Sequence, residues 1–400
     1  MPEDLRVLLV GGGGREHALA WRLSLSPQVE SIYVLPGNGG LALQKGKVQL
    51  ISDVADRDYN AMVKRAKELG IGLVVAGVDV AVVDGIEDYF RGTGIPCFSP
   101  TKGAARIEGS KAYAKDFMQR NNIPTGEYRT FTNYEAACQY LHEVSHDVVI
   151  KASGLAAGKG VVLPKSKEEG FDALRDMLLN KTFGDSGSEV VIEEFLVGYE
   201  ISILTFSDGT TFKSLPPAQD HKTVFDGDRG PNTGGMGCYS PVDMVSQELL
   251  QVIDCTILGP TFEAFRKEAD PFVGCLFTGL MITETGPKVL EYNARFGDPE
   301  TQALIPLLDD ETDLAEVLLA CTTGRLASTH VGVRFEYSAC VVQASRGYPG
   351  DFPKGLPITG EYDRECTRLI LVSRHRDTYE KHSSFTRRRD KHISCWHCTR

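Results

Sequence analysis

Two hydrophobic periods alternate along the first hundred residues. Residues 5–10 are a short run of branched apolar side chains, ended at once by the four glycines at 11–14. Ala18, Leu19 and Leu23 then recur at helical spacing between residues 15 and 25. A buried strand, a glycine turn and a helix in this order indicate the start of a parallel α/β unit.

The same alternation continues further along the chain. Apolar positions predict a helix over residues 59–69, a buried strand over 71–76 and a helix around 83–90. Strands that alternate with helices are typical of an open parallel sheet covered on both faces. We therefore predict an open parallel α/β domain over residues 1–105.

After Pro100 the pattern changes to longer strands and longer loops. Ser110 is placed to cap a helix whose apolar side carries Phe117 and Met118. Further elements follow: strands at 147–151, 189–194 and 288–293, a hairpin of 200–206 with 211–215, a glycine- and proline-rich stretch at 216–241, and a helix at 313–323. This part of the chain predicts an α+β arrangement.

Charge and composition remove several classes of function. The formal net charge is −11, whereas nucleic-acid binding requires a basic surface. No stretch approaches the roughly 18 apolar residues that span a bilayer, and residues 1–5 do not read as a secretory signal. The ten cysteines are mostly isolated, as in reduced cytosolic proteins. We expect a cytoplasmic protein without nucleic-acid or membrane partners.

Three segments carry candidate chemistry. The glycines at 11–14 lack the third glycine of a dinucleotide fingerprint, because Glu16 stands there. Exposed backbone N–H groups at a helix start still favour a phosphate, although a turn needed only for packing explains them as well.

The second segment is residues 151–160, KASGLAAGKG. It resembles a Walker A loop, but its glycine spacing is one residue short and Gly160 replaces the magnesium-binding hydroxyl. A loop of small residues after a strand that ends in Lys151 can cover a polyphosphate, with Lys159 as a second counter-charge. A mobile surface loop is the alternative.

The third segment is the strand at 288–295. Alternate residues share one face of a strand, which places Glu291, Asn293 and Arg295 together and points Leu290 and Tyr292 the other way. Carboxylate and amide oxygens suit Mg²⁺, and a guanidinium can hold a carboxylate or phosphate. A solvated edge strand remains the alternative.

In sequence order, several motifs together resemble one family. The chain is similar to the phosphoribosylamine–glycine ligases of purine synthesis at residues 13–19 (GGREHAL), 36–38 (PGN), 151–161, 217–222 (PAQDHK), 230–237 (GPNTGGMG) and 293–300 (NARFGDPE). The resemblance implies an ATP-grasp domain at 106–325, with a flexible lid at about 124–195, after the N-terminal domain. It also implies an incomplete C-terminal domain at 326–362. Residues 363–400 are basic and unlike the family, and we expect them to be disordered.

The resemblance also implies roles for individual residues. Lys151, Asp220 and Arg295 are the expected catalytic residues. ATP is expected at Lys111, Lys151, Gly158, Lys159, Gly160, Glu193, Glu194, Phe195, Leu196, Glu200 and Lys222. The substrates are expected at Gly13, Gly14, Arg15, Asn38, Asp79, Asp220, Asn232, Gly234, Gly235 and Arg295, and Mg²⁺ or Mn²⁺ at Glu291 and Asn293. Asp79 stands where the family usually has a glutamate.

The implied reaction is ATP-dependent ligation of glycine to 5-phosphoribosylamine through glycyl phosphate. Two alternatives stay open at this point. One is a truncated form that binds nucleotide without turnover, and the other is a different ATP-grasp carboxylate–amine ligase. The sequence after Gly360 does not resemble the family, and we therefore expect that the chain is the leading part of a longer, multifunctional polypeptide.

Overall fold

The computed structural model describes residues 4–44, 46–156, 160–353 and 356, together with the strands Leu371–Ser373 and Ile393–His397. The strands Leu371–Ser373 and Ile393–His397 fall within the segment 363–400, and the disorder expected for the rest of that segment, which lies outside the described residues, stays a prediction. Within the described part of the chain, every helix is too short or too polar to cross a membrane.

The N-terminal unit is a parallel five-stranded sheet with helices on its faces. Its strands are β1 (Leu5–Gly11), β2 (Val29–Pro36), β3 (Val48–Leu50), β4 (Leu73–Ala76) and β5 (Cys97–Phe98), in the order β3-β2-β1-β4-β5. Its helices are α1 (Gly14–Ser24), α2 (Gly39–Leu43), α3 (Tyr59–Glu68), α4 (Asp79–Asp84), α5 (Ile86–Phe90) and α6 (Lys102–Gly109). The strand order reverses between β1 and β4, which is where open α/β sheets form a binding crevice.

One helix of this unit was predicted wrongly. The sequence pattern predicted a single helix around 83–90, but Gly85 separates α4 from α5 with a φ of 89°. A Cβ at Gly85 would also lie 2.8 Å from the Cβ of Lys102. The chain therefore turns sharply at a position that only glycine occupies without strain.

The next unit is a small antiparallel sheet that follows the helix α7 (Lys111–Arg120). The hydroxyl of Ser110 accepts the backbone N–H of Tyr113, so the predicted cap is confirmed. The sheet order is β6-β9-β7-β8. Its elements are β6 (Tyr128–Phe131), α8 (Tyr134–Glu143), β7 (Val148–Ala152), β8 (Val161–Val162), α9 (Lys167–Leu174), a π turn (Arg175–Leu179), a 3₁₀ turn (Gly184–Gly187) and β9 (Val190–Glu194).

Three further sheets form the rest of the described chain. The first has the order β11-β10-β16-β17, the second has the order β12-β15-β18-β20-β19, and the third is the two-stranded pair β13-β14. The strands are β10 (Tyr199–Asp208), β11 (Phe212–Ser214), β12 (Gln219–Asp220), β13 (Thr223–Phe225), β14 (Arg229–Asn232), β15 (Gly237–Ser240), β16 (Val273–Thr283), β17 (Gly286–Asn293), β18 (Ser338–Gln343), β19 (Leu371–Ser373) and β20 (Ile393–His397). The helices are α10 (Gln247–Ile253), a π turn (Asp254–Leu258), α11 (Gly259–Lys267), α12 (Glu300–Leu304) and α13 (Leu314–Thr322), with 3₁₀ turns at Ile305–Leu307 and Leu326–Ser328.

The hydrophobic cores show which units are packed together. Val10 and Phe90 of the N-terminal unit belong to one continuous core with Phe262 on α11 and Tyr292 on β17. The β6–β9 sheet has a hydrophobic core of its own, formed by buried residues between positions 137 and 192, among them Ile150. The N-terminal crevice is thus fixed next to β17, while the small sheet packs around a separate centre.

Candidate functional site

The glycine loop after β1 is held by one buried carboxylate. Glu16 is 1% exposed, and its Oε2 accepts the backbone N–H of Gly13 at 2.5 Å. Its Oε1 accepts the Nε–H of Arg15 at 2.6 Å. A Cβ at Gly77 would lie 2.2 Å from the same Oε1, so glycine at that position leaves space for the carboxylate.

Asn38 shapes the same loop from the end of β2. Its Nδ2 donates to the carbonyl oxygens of Gly12 at 3.2 Å and Gly13 at 3.3 Å, while its Oδ1 accepts the N–H of Leu41. These bonds go to the backbone, so Asn38 fixes the loop that was predicted to cradle a substrate. A Cβ at Gly12 would lie 2.5 Å from the carbonyl oxygen of Gly37, which shows how closely the two turns approach.

The crevice between β1 and β4 also contains a buried, positively charged side chain, that of Arg15. Burial opposes the charge of Arg15, but the carboxylates of Glu16 and Asp298 outweigh it and raise its pKa. Asp79 starts α4 at the end of β4, as the sequence predicted, and accepts the N–H of Val80. Nη1 of Arg15 donates to the carbonyl oxygen of Phe296 at 3.2 Å, so the crevice adjoins the segment that follows β17.

A second group of charges lies between the small sheet and α7, and we call it the lysine cluster: Lys111, Lys115, Lys151 and Glu193. Lys151 is the last residue but one of β7, Glu193 lies on β9, and Lys115 lies on α7; these three are 8%, 3% and 4% exposed. Nζ of Lys151 pairs with Oε1 of Glu193, and Nζ of Lys115 lies 2.5 Å from Oε2. Burial raises the pKa of Glu193, but attraction to both lysines outweighs this and lowers it overall.

Lys111 lies one helical turn before Lys115 and completes the lysine cluster. Its Nζ donates to the carbonyl oxygen of Gly154 at 3.3 Å, at the start of the small-residue loop. Burial and repulsion from Lys151 lower the pKa of Lys111. Gly158 and Lys159 lie outside the described residues. A Cβ at Gly160 would lie 2.6 Å from that of Ala156, so this glycine permits close packing where the loop returns.

The four residues predicted to line adenine have different surroundings. Glu193 belongs to the lysine cluster, whereas the carboxylate of Glu194 accepts the N–H of Glu127 and lies 3.4 Å from Nζ of Lys288. Phe195 is exposed and Leu196 is buried. Their contact with adenine stays a prediction.

Lys222 lies near both Glu200, which was predicted to contact the ribose of ATP, and Glu291, which was predicted to bind the metal. Its Nζ pairs with Oε1 of Glu200 and lies 3.9 Å from Oε1 of Glu291. Burial raises the pKa of Glu291, but Lys222, Lys151 and Lys111 lower it to about 2 overall. Glu291 is therefore ionised at neutral pH.

The face of β17 matches the sequence prediction with one correction. Glu291 and Asn293 pair with Gly279 and Phe277 of β16 in continuous register, so they share a face. Val289 pairs with Leu280, which leaves Leu290 in a bulge. The prediction that Leu290 shares the inner face with Tyr292 is therefore wrong, since Val289 lies in the core with Tyr292.

These two oxygen donors fit a hard divalent cation. Among the described residues there is no group of three or more His, Cys, Asp or Glu side chains arranged to hold a metal. Mg²⁺ characteristically takes only one or two protein ligands and completes its shell with water and phosphate. An ionised Glu291 beside Asn293 suits that mode of binding.

Arg295 is held in place by an acid that the sequence reading missed. Its Nε and Nη2 both lie 3.1 Å from Oε1 of Glu108, whose Oε2 accepts the N–H of Ala294. Nη2 of Arg295 also donates to Oδ1 of Asn293 at 3.2 Å. Glu108, at the end of α6, thus orients the guanidinium beside the metal ligands.

Asp220 lies in the loops that were predicted to hold substrate. Its Oδ1 is buried and has no hydrogen-bond partner within the described part of the chain. A Cβ at Gly235 would lie 2.8 Å from both of its carboxylate oxygens. Burial and repulsion from Glu300 raise the pKa of Asp220, and burial raises that of Glu300 to about 7.

The two remaining loop residues lie at the open side. Asn232 ends β14 and is exposed, and a Cβ at Gly234 would meet no atom within 4 Å. Both residues are exposed, in the loop that contains the buried Gly235.

Four charged residues of the site were not predicted: Glu16, Glu108, Lys115 and Glu300. Local signals existed for two of them. Glu16 stands three residues after Gly13, in the position of a capping box, and Lys115 stands one turn after Lys111 on the same helix face. Glu108 and Glu300 have their partners far away in sequence, so no local pattern reveals them.

Two family models match consecutive parts of the chain. The N domain of phosphoribosylglycinamide synthetase matches residues 5–108. The ATP-grasp (A) domain of phosphoribosylglycinamide synthetase matches residues 109–301. The first match covers the parallel sheet and its crevice, and the second covers the lysine cluster and β17.

Known proteins are similar over most of the chain. A bifunctional purine biosynthetic protein of Schizosaccharomyces pombe is 53% identical over 89% of this chain and 45% of its own length. A phosphoribosylamine–glycine ligase of Vibrio cholerae is 46% identical over 89% of this chain and 82% of its own length. The crystal structure of a phosphoribosylamine–glycine ligase from Thermotoga maritima has a TM-score of 0.73 at 32% identity, covering 88% of this chain and 83% of that one. The chain spans less than half the length of the bifunctional relative.

Proposed function

The chain belongs to the phosphoribosylglycinamide synthetase family, and on that premise we propose that it is an ATP-dependent ligase that joins glycine to 5-phosphoribosylamine. The products are glycinamide ribonucleotide, ADP and phosphate, in the purine biosynthesis of the cytoplasm. The observation that carries this proposal is the contact of Arg15 with the carbonyl oxygen of Phe296. This hydrogen bond joins the crevice in which we propose the phosphate of the amine substrate to the end of β17, where we propose the metal ligands and the carboxylate-binding Arg295.

We divide the chain accordingly. Residues 1–105 bind the amine substrate, 106–325 form the ATP-grasp domain with a lid at about 124–195, and 326–362 begin a further domain. The separate core of the β6–β9 sheet supports a lid that moves as a unit. Because a relative is bifunctional, we also propose that this ligase can form part of a longer polypeptide of purine synthesis.

ATP would lie between the lid and the β11-β10-β16-β17 sheet. Lys111 and Lys151 would contact its phosphates, residues 193–196 its adenine and Glu200 its ribose, with Lys222 between the ribose and the metal ligands. Positive groups on both sides spread the charge of the phosphoryl group during its transfer.

Glu291 and Asn293 would hold Mg²⁺ or Mn²⁺. When bound, the cation neutralises charge on the phosphates and orients them. Glu108 keeps Arg295 beside these ligands, and from there Arg295 can hold the carboxylate of glycine.

The first step activates glycine. A carboxylate oxygen forms a bond to the γ-phosphorus of ATP, the bond between that phosphorus and the β,γ-bridging oxygen breaks, and ADP leaves. We place the glycine ammonium near Asp220, whose buried Oδ1 has no hydrogen-bond partner among the described residues and is available to accept one. The lid limits access of water to the acyl phosphate, which would otherwise hydrolyse.

The second step forms the amide. Gly13, Gly14, Arg15 and Asp79 would hold 5-phosphoribosylamine in the crevice, in a loop shaped by Asn38. Its amine nitrogen attacks the acyl carbon, the carbon–oxygen bond to phosphate breaks, and the amine loses a proton to the departing phosphate or to water. Holding both reactants together supplies much of the rate.

The test is ADP release by the purified chain with Mg²⁺-ATP, glycine and phosphoribosylamine generated in situ, each left out in turn. ADP that appears only with both substrates supports the ligase. Binding of ATP without turnover would instead support the non-catalytic form. ADP formed with a different carboxylate or amine would support another ATP-grasp ligase.

A further inference from the structure

Lys115 is a buried lysine that the proposed reaction does not use. It is 4% exposed, and its Nζ lies 2.5 Å from Oε2 of Glu193. Burial lowers the pKa of Lys115 while the Glu193 carboxylate raises it. A lysine is seldom buried this completely, and it requires a specific partner there.

The partner carboxylate is shared. Glu193 binds Lys151 through Oε1 and Lys115 through Oε2, so one acid neutralises two lysines that lie on different elements. Lys151 lies on β7, in the β6-β9-β7-β8 sheet of the proposed lid, and it is expected to contact the ATP phosphates. Lys115 lies on α7, which precedes the proposed lid in the chain.

A second set of bonds ties Lys115 to the base of the lid. Its Nζ donates to Oγ1 of Thr125 at 2.7 Å, and that hydroxyl donates to the carbonyl oxygen of Val289 at 2.7 Å. Val289 in turn donates its N–H to the carbonyl oxygen of Pro124. These bonds fix Lys115 relative to Val289 of β17, and Val289 lies two residues before Glu291.

This arrangement has a consequence when a polyphosphate binds. Lys151 can turn to a phosphate only if it gives up part of its pairing with Glu193. A buried carboxylate without a cation is strongly unfavourable, so the release of Lys151 would be opposed if Glu193 had no other partner. Lys115 supplies that partner, and it is held independently of the nucleotide.

We propose that Lys115 is a positioning residue for nucleotide binding: it keeps the Glu193 carboxylate neutralised while Lys151 changes its partner from Glu193 to the ATP phosphates. The inference rests on the proposed use of ATP. It assigns Lys115 no contact with any substrate.

The primary test is calorimetric titration of Lys115→Met with Mg²⁺-ADP and with a non-hydrolysable ATP analogue. The Kd for the ATP analogue should rise by at least about tenfold, which corresponds to about 1.4 kcal/mol. If Lys115→Met does not fold, Lys115→Gln removes the charge but keeps a hydrogen-bond donor, and we expect the same rise. A Kd within about twofold of the unsubstituted chain would overturn the proposal.

A matched control and a rescue separate positioning from general stabilisation. Arg120 lies on the same helix and pairs with Glu268 away from Glu193, so Arg120→Met should leave the Kd unchanged. In the double variant Lys115→Met/Glu193→Gln no buried carboxylate needs a partner, and the Kd should fall back toward that of Glu193→Gln alone. A double variant that binds no better than Lys115→Met would contradict the proposal.

The readout is binding, so it does not depend on turnover. A chain that binds ATP but does not ligate would refute the proposed reaction and still allow this test. With an active chain, the KM for ATP should rise in Lys115→Met while the KM for glycine stays within about twofold, because the change acts through Glu193 on Lys151, which is expected at the ATP phosphates.

Discussion

The crevice and the lysine cluster are built in opposite ways. In the crevice, Glu16 and Asn38 hold the glycine loop through backbone groups, and close glycine contacts fix its shape. In the lysine cluster, Lys115 and Lys151 share the carboxylate of Glu193, and few backbone groups take part. The crevice is preorganised, whereas the cluster consists of ion pairs that a ligand can exchange.

This difference indicates how each region should respond to change. A preorganised loop loses function when its shape is disturbed, and a substitution there should weaken the binding only of the substrate that the loop holds. A set of shared ion pairs loses function when one charge is removed, because the remaining buried charges lose their partner. Each variant below tests whether the two responses stay separate.

The largest effect is expected for Lys151→Met. It removes the lid charge expected on the phosphates and leaves Glu193 with Lys115 alone, so kcat should fall by about 10²–10³. Lys213→Met is a suitable control, because Nζ of Lys213 binds only the carbonyl oxygen of Thr329 among the contacts described. Steady-state kinetics of both variants decide, and a Lys151→Met variant that keeps most of its turnover would remove Lys151 from the mechanism.

The next effect is expected for Glu291→Gln. Loss of the ionised ligand should raise the Mg²⁺ concentration for half-maximal activity by about 10- to 100-fold. Glu284→Gln, in the exposed turn between β16 and β17, should leave it unchanged. An equal response of the two variants would show that the metal is held elsewhere.

The crevice is tested by Gly77→Ala. The added Cβ would meet Oε1 of Glu16 at 2.2 Å, so Glu16 must move and release Gly13 and Arg15. Overpacking of about 1–3 kcal/mol should raise the KM for phosphoribosylamine by about 5- to 150-fold. The Kd for ATP should not change, and a parallel loss of ATP binding would show that the two regions are not independent.

The last effect concerns pH and the buried carboxyl of Glu300, which repels the charge of Asp220. Its pKa is about 7 in the folded chain against 4.5 in the unfolded chain, because burial disfavours the charge. The folded state therefore binds more protons, and this contribution to stability falls as pH rises from about 4.5 to 7. Thermal or urea unfolding should show Glu300→Gln gaining about 1–3 kcal/mol on the unsubstituted chain between pH 5 and pH 8. A constant difference across that range would contradict the shifted pKa.

Local patterns were sufficient for much of the fold. The parallel sheet, the Ser110 cap and the hairpin of β10 with β11 all follow from short-range periodicity and turn residues, and the structure contains each of them. The pattern did not reveal the break at Gly85, which depends on the close approach of Lys102 from another helix. The bulge at Leu290 likewise depends on the register of the neighbouring strand β16.

The same limit applies to the candidate site. The shared face of Glu291 and Asn293 could be predicted because the two residues lie on one strand, two positions apart. The pairing of Arg295 with Glu108 joins residues 187 positions apart, and that of Lys115 with Glu193 joins two separate units. Such pairs exist only after the units have packed, so the partners that hold the candidate site residues in place were harder to find than the candidate residues themselves.

The most direct test of the proposed chemistry is the transfer of carboxylate oxygen. Glycine labelled with ¹⁸O in its carboxylate is supplied with Mg²⁺-ATP and phosphoribosylamine, and the released phosphate is analysed by mass spectrometry. If glycyl phosphate forms between the lysine cluster and the crevice, each phosphate carries one ¹⁸O from glycine, since the carbon–oxygen bond breaks in the second step. Unlabelled phosphate, released together with glycinamide ribonucleotide, would contradict activation of glycine at its carboxylate.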